Sequence, residues 1–283
     1  MSGTLRRSIK DKALFAYTRL WNHCHQAFIR HCLLNQTRLQ LLSASGSWSG
    51  RTIFIVGNGP SLEENQIQLA ANHSFIALNR AYQLFDPSAF ELGAAGYLII
   101  SDFYRNLEIL PTLSYQFKQV VVGCHNPEHI YFYPALLRPF WIFANCAWGF
   151  RVSRNGPSFQ DQSPVQKFSN DFSRKYYAGW SVLFSAIQFA AYLGVARIVL
   201  IGCDMDYSGP LEYSSLIKHD RFLLGHSCFF DYTVHGLPHM LACRKGLDKL
   251  GIEILNGTPA GAIQEIPRVS LGQLRDLLAA GSS

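Results

Sequence analysis

Charge is scarce in this 283-residue chain: Asp, Glu, Lys and Arg together make up 16% of it. Disorder does not follow from that scarcity, because 48% hydrophobic and 13% aromatic residues are enough to build a packed core. The 22 glycines have no fixed period, which excludes a collagen-like chain. Seven cysteines, at 24, 32, 124, 146, 203, 228 and 243, are odd in number and lack paired spacing, so a disulfide scaffold is excluded and a reducing compartment is expected. Long apolar runs are missing too. The longest, 178–203, is interrupted by Gln188, Gly194 and Arg197, short of the roughly 20 apolar residues that span a bilayer. Arg6-Arg7 is followed by an apolar run of only 13–17, too short for an export signal. No phosphate loop of the G-x-x-x-x-G-K-[ST] type occurs anywhere.

Positive charge is confined to one end. Residues 1–50 hold seven Lys or Arg against Asp11 alone, whereas 51–283 hold 18 basic and 18 acidic side chains. A neutral body argues against nucleic-acid binding, which needs a basic face to displace counterions. In the basic segment Leu5, Leu14, Tyr17, Trp21, Phe28, Leu34 and Leu41 recur at helical spacings, which predicts an amphipathic helical extension over 1–45. Such a segment suits peripheral contact with an anionic membrane surface, or packing on the body or on a second copy in a homo-oligomer. The expected location is the cytoplasm, including the inner face of the cell membrane. His23, Cys24, His25, His31 and Cys32 do not form a metal set, because neighbours on a helix point different ways and no C-x-x-C follows.

The small-residue run SASGSWSG at 43–50 reads as a linker, leaving 51–283 as the main domain. There the pattern changes to short, wholly apolar runs at 52–56, 75–78, 97–100, 119–122, 197–201 and 252–255, as buried parallel strands require. Helices are expected at 181–193 and 238–250, each stopped by a glycine, with Pro238 in the first turn of the second. This alternation predicts an α/β fold: a Rossmann-like, doubly wound and mostly parallel sheet with ligands at the carboxyl ends of its strands. No internal repeat is present.

The first strand runs into Gly57-Asn58-Gly59-Pro60-Ser61-Leu62, where the glycines permit a tight turn and Pro60 is placed to open a helix facing an anion. Leu62 stands where a dinucleotide fingerprint needs its third glycine. This turn, followed by 78–82 (LNRAY), Ser101-Asp102, Gly179-Trp180-Ser181, 200–207 (LIGCDMDY), 256–261 (NGTPAG) and 266–269 (IPRV), resembles the MptE-like family. That family is named for 6-hydroxymethylpterin diphosphokinase and is similar in its motifs to family 42 sialyltransferases and to motility-associated flagellin glycosyltransferases. The resemblance covers about residues 51–272.

It implies nucleotide contacts for Gly57, Asn58, Gly59, Ser61, Asn79, Asp102, Ser181 and Asp204. It also implies leaving-group assistance by Tyr207 and Tyr213, whose spacing of six matches the paired tyrosines of the sialyltransferases. Phenolic donors can stabilise charge on a departing phosphate without a metal ion. An acceptor hydroxyl must also lose its proton, and histidine is the side chain whose pKa lies nearest working pH. His219, His226, His235 and His239 are candidates, with His226 favoured first and His235 second.

Three functions are expected from this pattern. The first is glycosyl transfer, from a CMP-activated nonulosonate to a bacterial surface glycan or glycoprotein, with no required cofactor or metal. The second is pyrophosphoryl transfer to a pterin alcohol, with Mg²⁺ held by Asp102, Asp204 or Asp206. The third is a nucleotide-binding module without turnover.

Overall fold

The computed structural model describes residues 35–91, 94–100, 119–124, 141–147, 167–177, 179, 181–207, 213–217 and 231–280. Its eight described strands are β1 (Thr52–Val56), β2 (Ser74–Leu78), β3 (Gly96–Ile100), β4 (Val120–Cys124), β5 (Trp141–Ala147), β6 (Tyr176–Tyr177), β7 (Arg197–Ile201) and β8 (Glu253–Asn256). They lie side by side in the order β6-β5-β4-β3-β2-β1-β7-β8, and every pairing is parallel. The described helices are α1 (Asn35–Ala44), α2 (Glu64–Ala71), α3 (Val182–Tyr192), α4 (Leu237–Leu250) and α5 (Leu271–Ala280). The fold is a Rossmann-like parallel α/β sheet. Among the described residues no helix is long and apolar enough to cross a membrane.

The unbroken apolar runs follow from burial on both faces. Ile53, Ile55, Ile76, Leu78, Ile198 and Leu200 point into a core shared with α3 and α4, while Phe54, Val56, Phe75, Ala77, Val199 and Ile201 point into a second core with α2 and Leu274 of α5. Helix α3 is buried along its whole length. Ser181 starts it, its hydroxyl accepting from the Leu183 amide at 3.3 Å, and Gly194 at φ +80 lets the chain turn back into β7. Helix α4 has Pro238 in its first turn and ends at Gly251, φ +68. Ser270 and Gln273 cap α5 reciprocally: the Ser270 amide donates to the Gln273 side chain at 2.8 Å, and the Gln273 amide to Ser270 Oγ at 3.3 Å.

The stretch expected as a linker is held against the body. Leu41, Ala44 and Trp48 are buried in the first core, and Trp48 meets Tyr97 edge-on at 5.1 Å. The amides of Gly46, Trp48 and Gly50 donate to the carbonyls of Tyr192, Leu193 and Gly194. Trp48, the one large residue among small ones, supplies the apolar surface that docks this segment. The basic residues of the extension up to Arg30 lie outside the described residues.

What positions the site is the reversal of strand order. From β1 the chain adds β2, β3 and β4 on one side, then crosses back to place β7 and β8 on the other. The carboxyl ends of β1 and β7 therefore flank the reversal, the place where such sheets bind ligands.

Candidate functional site

Three sequence segments meet at this reversal. The turn after β1 (57–62), the turn after β7 (202–206) and the loop after β8 (257–268) are bonded to one another through the backbone. The Gly57 amide donates to Ile201 O at 2.9 Å and the Gly59 amide to Gly202 O at 2.8 Å. Cys203 donates its amide to Thr258 Oγ1 at 3.1 Å, and the Ala262 amide reaches Asp204 O at 2.7 Å.

Both glycines of the first turn are required by proximity. A Cβ on Gly57 would collide with the Gly202 carbonyl, and a Cβ on Gly59 with the Asp204 carboxylate. Gly261, at φ +97, passes so close to the Asp204 backbone that a Cβ would lie 2.6 Å from Asp204 Cα. Asp204 is thus clasped between two glycines. The loop after β8 is stiffened from within: Asn256 Oδ1 accepts from the Thr258 amide at 3.0 Å, and Arg268 donates to the carbonyls of Thr258, Gly261 and Ile263. Gln66 of α2 ties in at Gly257 O, 2.8 Å.

This geometry bears on the expected phosphate cradle. The Gly57 and Gly59 amides donate to the carbonyls of Ile201 and Gly202. Pro60 does not open a helix; α2 starts at Glu64, after Glu63, whose carboxylate brings negative charge to that helix end. Buried side-chain acceptors are left over instead. Asn58 Oδ1, Ser61 Oγ and Asp204 Oδ2 are each shielded from solvent with no hydrogen-bond partner, and Asp204 as a residue is only 7% exposed. An unpaired buried polar atom costs about 1–3 kcal/mol, which makes the three a candidate for completion by a ligand.

Two non-glycine residues with left-handed backbone flank the crevice: Asn79 (φ 48), directly after β2, and Met205 (φ 53), directly after Asp204. Tyr213 is brought beside the turn, since the amide of its neighbour Ser214 donates to Asn58 O at 2.8 Å. Tyr207 packs against the first core. Asp206 is exposed whereas Asp204 is buried. Among the described residues no group of three His, Cys, Asp or Glu side chains converges as metal ligands. Asp102, His219 and His226 lie outside the described residues.

Helices α3 and α4 each precede a strand of the parallel sheet, so their amino ends lie at the same edge as the crevice. Ser181 spends its hydroxyl on capping α3. His235 is also engaged: its Nδ1 accepts from the Asp231 amide at 3.0 Å in the wide, π-type turn Tyr232–Gly236 that leads into α4. His239 is different. It is 2% exposed, its ring lies 5.3 Å from that of Phe184 and against Gly179, and its Nε2 has no partner. Burial lowers its pKa to about 4, so the imidazole is neutral at physiological pH. Of the two described candidate histidines His235 and His239, His239 is the buried one with an unpartnered ring nitrogen.

Tyr232 links this corner to the crevice. Its hydroxyl donates to Glu265 Oε2 at 2.6 Å, and Glu265 belongs to the loop that clasps Asp204. Burial, helped by the Glu265 carboxylate, pushes the phenol well above its usual range.

Taken together, these features define a Rossmann-like protein with a candidate site at its topological switch point. Comparison with protein-family models, with curated proteins and with solved structures finds no match.

Proposed function

We propose that the protein is a nucleotide-dependent transferase, and a glycosyltransferase in particular, with the nucleoside of an activated sugar donor held at the carboxyl ends of β1 and β7. The observation that carries the reading is the trio of unpartnered polar atoms on Asn58, Ser61 and Asp204 at the reversal of strand order. The resemblance of these same segments to the MptE-like and family 42 proteins supports a CMP-linked nonulosonate as donor and a surface glycan or glycoprotein as acceptor.

In such a transfer the bond between the sugar and the phosphate oxygen breaks, and negative charge collects on the departing nucleotide. The phenols of Tyr213 and Tyr207 are the donors assigned to it. The acceptor hydroxyl forms the new glycosidic bond and passes its proton to a neutral imidazole. His239 takes this role ahead of His226 and His235, because its Nε2 is unpartnered and the approach of a nucleotide phosphate raises its basicity. Diphosphokinase chemistry ranks second: of the carboxylates it would recruit, Asp204 is buried and Asp206 exposed, so the two do not form one face for a cation.

Calorimetry with CMP and ATP, each with Mg²⁺ or with EDTA, separates the two. The transferase reading expects CMP to bind equally well in both conditions; ATP binding that requires Mg²⁺, with CMP silent, overturns it.

A further inference from the structure

One polar side chain inside the long apolar run takes no part in the proposed chemistry. Gln188 stands in the middle of α3 with 0% of its surface exposed, and its carboxamide uses all of its hydrogen-bonding capacity. Oε1 accepts from the amides of Ser169 at 3.0 Å and Tyr177 at 3.1 Å, and Nε2 donates to the carbonyls of Tyr177 at 2.7 Å and Phe184 at 2.8 Å. A carboxamide buried among apolar side chains is unfavourable unless its bonds are made, so four bonds on one group fix where their partners lie. Both carbonyls that share Nε2 belong to segments that wall His239. Two residues beyond Tyr177, Gly179 (φ +57) presses so closely on the imidazole that a Cβ there would lie 3.0 Å from His239 Cγ and 2.7 Å from Phe184 Cδ2. Phe184 supplies the other side, its ring 5.3 Å from that of His239.

We propose that Gln188 is a positioning residue for His239: by joining Tyr177 to Phe184 it holds Gly179 over the imidazole and keeps water from the ring. The inference rests on the transferase reading only for the use of His239 as a base; the clamp itself needs no ligand. Burial is what keeps the ring neutral. Gly179 and Phe184 bring no titratable group to it. One turn away to either side, His235 has Nδ1 accepting from the Asp231 amide, and the Cys243 thiol is buried with its pKa pushed up to about 12. Opening the Gly179 side therefore admits water, and the imidazole then holds its proton more tightly.

An NMR titration of the His239 ring in the full chain, wild type against Gln188→Met, reads this directly, since Met fills the space of Gln without its bonds and adds no charge. The expected result is a proton affinity raised at least about tenfold, with faster amide exchange at Tyr177 and Ser169. Ser173→Ala, which removes the Ser173–Asp171 bond from the same segment and leaves Gln188 alone, changes neither. Faster exchange at Tyr177 with an unaltered His239 titration means that Gln188 secures the edge strand alone, and overturns the proposal; so does an equal change in Ser173→Ala. Should Gln188→Met fail to fold, the wild type carries the test through Tyr177 amide exchange and carbethoxylation of His239 by diethyl pyrocarbonate in rising, sub-denaturing urea. One shared urea dependence, shallower than that of global unfolding, upholds the clamp, and separate dependences, or exposure of His239 only by global unfolding, overturn it. A His239 ring that answers to Gln188 while CMP and ATP both fail to bind upholds the clamp and removes the transferase reading.

Discussion

The crevice after β1 and the corner where α3 meets α4 both bury polar atoms without partners, yet they differ in kind. In the crevice the Gly57 and Gly59 amides are bonded to carbonyls, and the unsatisfied side-chain atoms are on Asn58, Ser61 and Asp204, the last held between two glycines that tolerate no side chain. At the corner the unsatisfied group is Nε2 of the neutral His239 ring, set against Phe184. The first arrangement suits recognition, where fixed polar groups select a ligand. The second suits proton transfer, where an imidazole must change state. The loop from β8, bonded to Asp204 at one end and to Tyr232 at the other, connects them.

The largest expected effect separates catalysis from recognition. His239→Asn lowers the transfer rate by about 10²–10⁴-fold, the usual range for loss of a general base, with little change in CMP affinity. A rate loss accompanied by equal loss of CMP binding would erase the distinction between the two regions.

Next is Gly59→Ala, which drives a methyl group into the Asp204 carboxylate and costs about 3 kcal/mol of stability, with loss of ligand binding. Gly46→Ala is its control: φ is +68 there, but nothing lies within 4 Å, so its cost is about 1 kcal/mol and binding is spared. Urea denaturation of both variants, with a binding titration, tests the pair.

The corner also has a pH signature. Unfolded, His239 takes up a proton near its ordinary value of 6.5; folded, it does so only near 4. The unfolded state therefore binds more protons between those limits, and stability falls as pH drops from about 6.5 toward 4, by up to about 2–3 kcal/mol. Stability measured across that range should lose this component in His239→Leu, whereas changes at Ser61 leave it in place.

The smallest effect is a gain. Ser61→Ala removes a buried unsatisfied hydroxyl and raises ligand-free stability by about 1 kcal/mol while weakening the ligand. A melting curve with and without CMP shows the two shifts in opposite directions.

Much of this was legible in the sequence. The runs at 52–56 and 197–201 coincide with β1 and β7, and Gly194 and Gly251 end the helices expected to stop there. Wholly apolar strands bounded by turn residues leave little ambiguity of period. β5 and the short β6 were missed; the two-residue β6 is too short to show a period at all. Helix α5 was also missed, although Ser270 and Gln273 form the S-x-x-Q signature that could have found it. The turn that carries Asn58 and Ser61 lies against Asp204, as their places at the ends of β1 and β7 lead one to expect. The fate of the Gly57 and Gly59 amides is not legible locally, because it is settled only when β1 pairs with β7, some 145 residues later. Nor does anything local reveal that His235 Nδ1 accepts from the Asp231 amide while His239 is buried with Nε2 unpartnered; His226, favoured first, lies outside the described residues.

The central claim is that ligand binds at the carboxyl ends of β1 and β7. Amide chemical shifts of the labelled protein, followed as CMP is added, test it most directly. The account predicts that the largest changes gather at Asn58, Ser61, Cys203 and Asp204, with smaller ones at His239. Saturating CMP that leaves those amides unmoved, or moves chiefly residues at the amino ends of the strands, would contradict it.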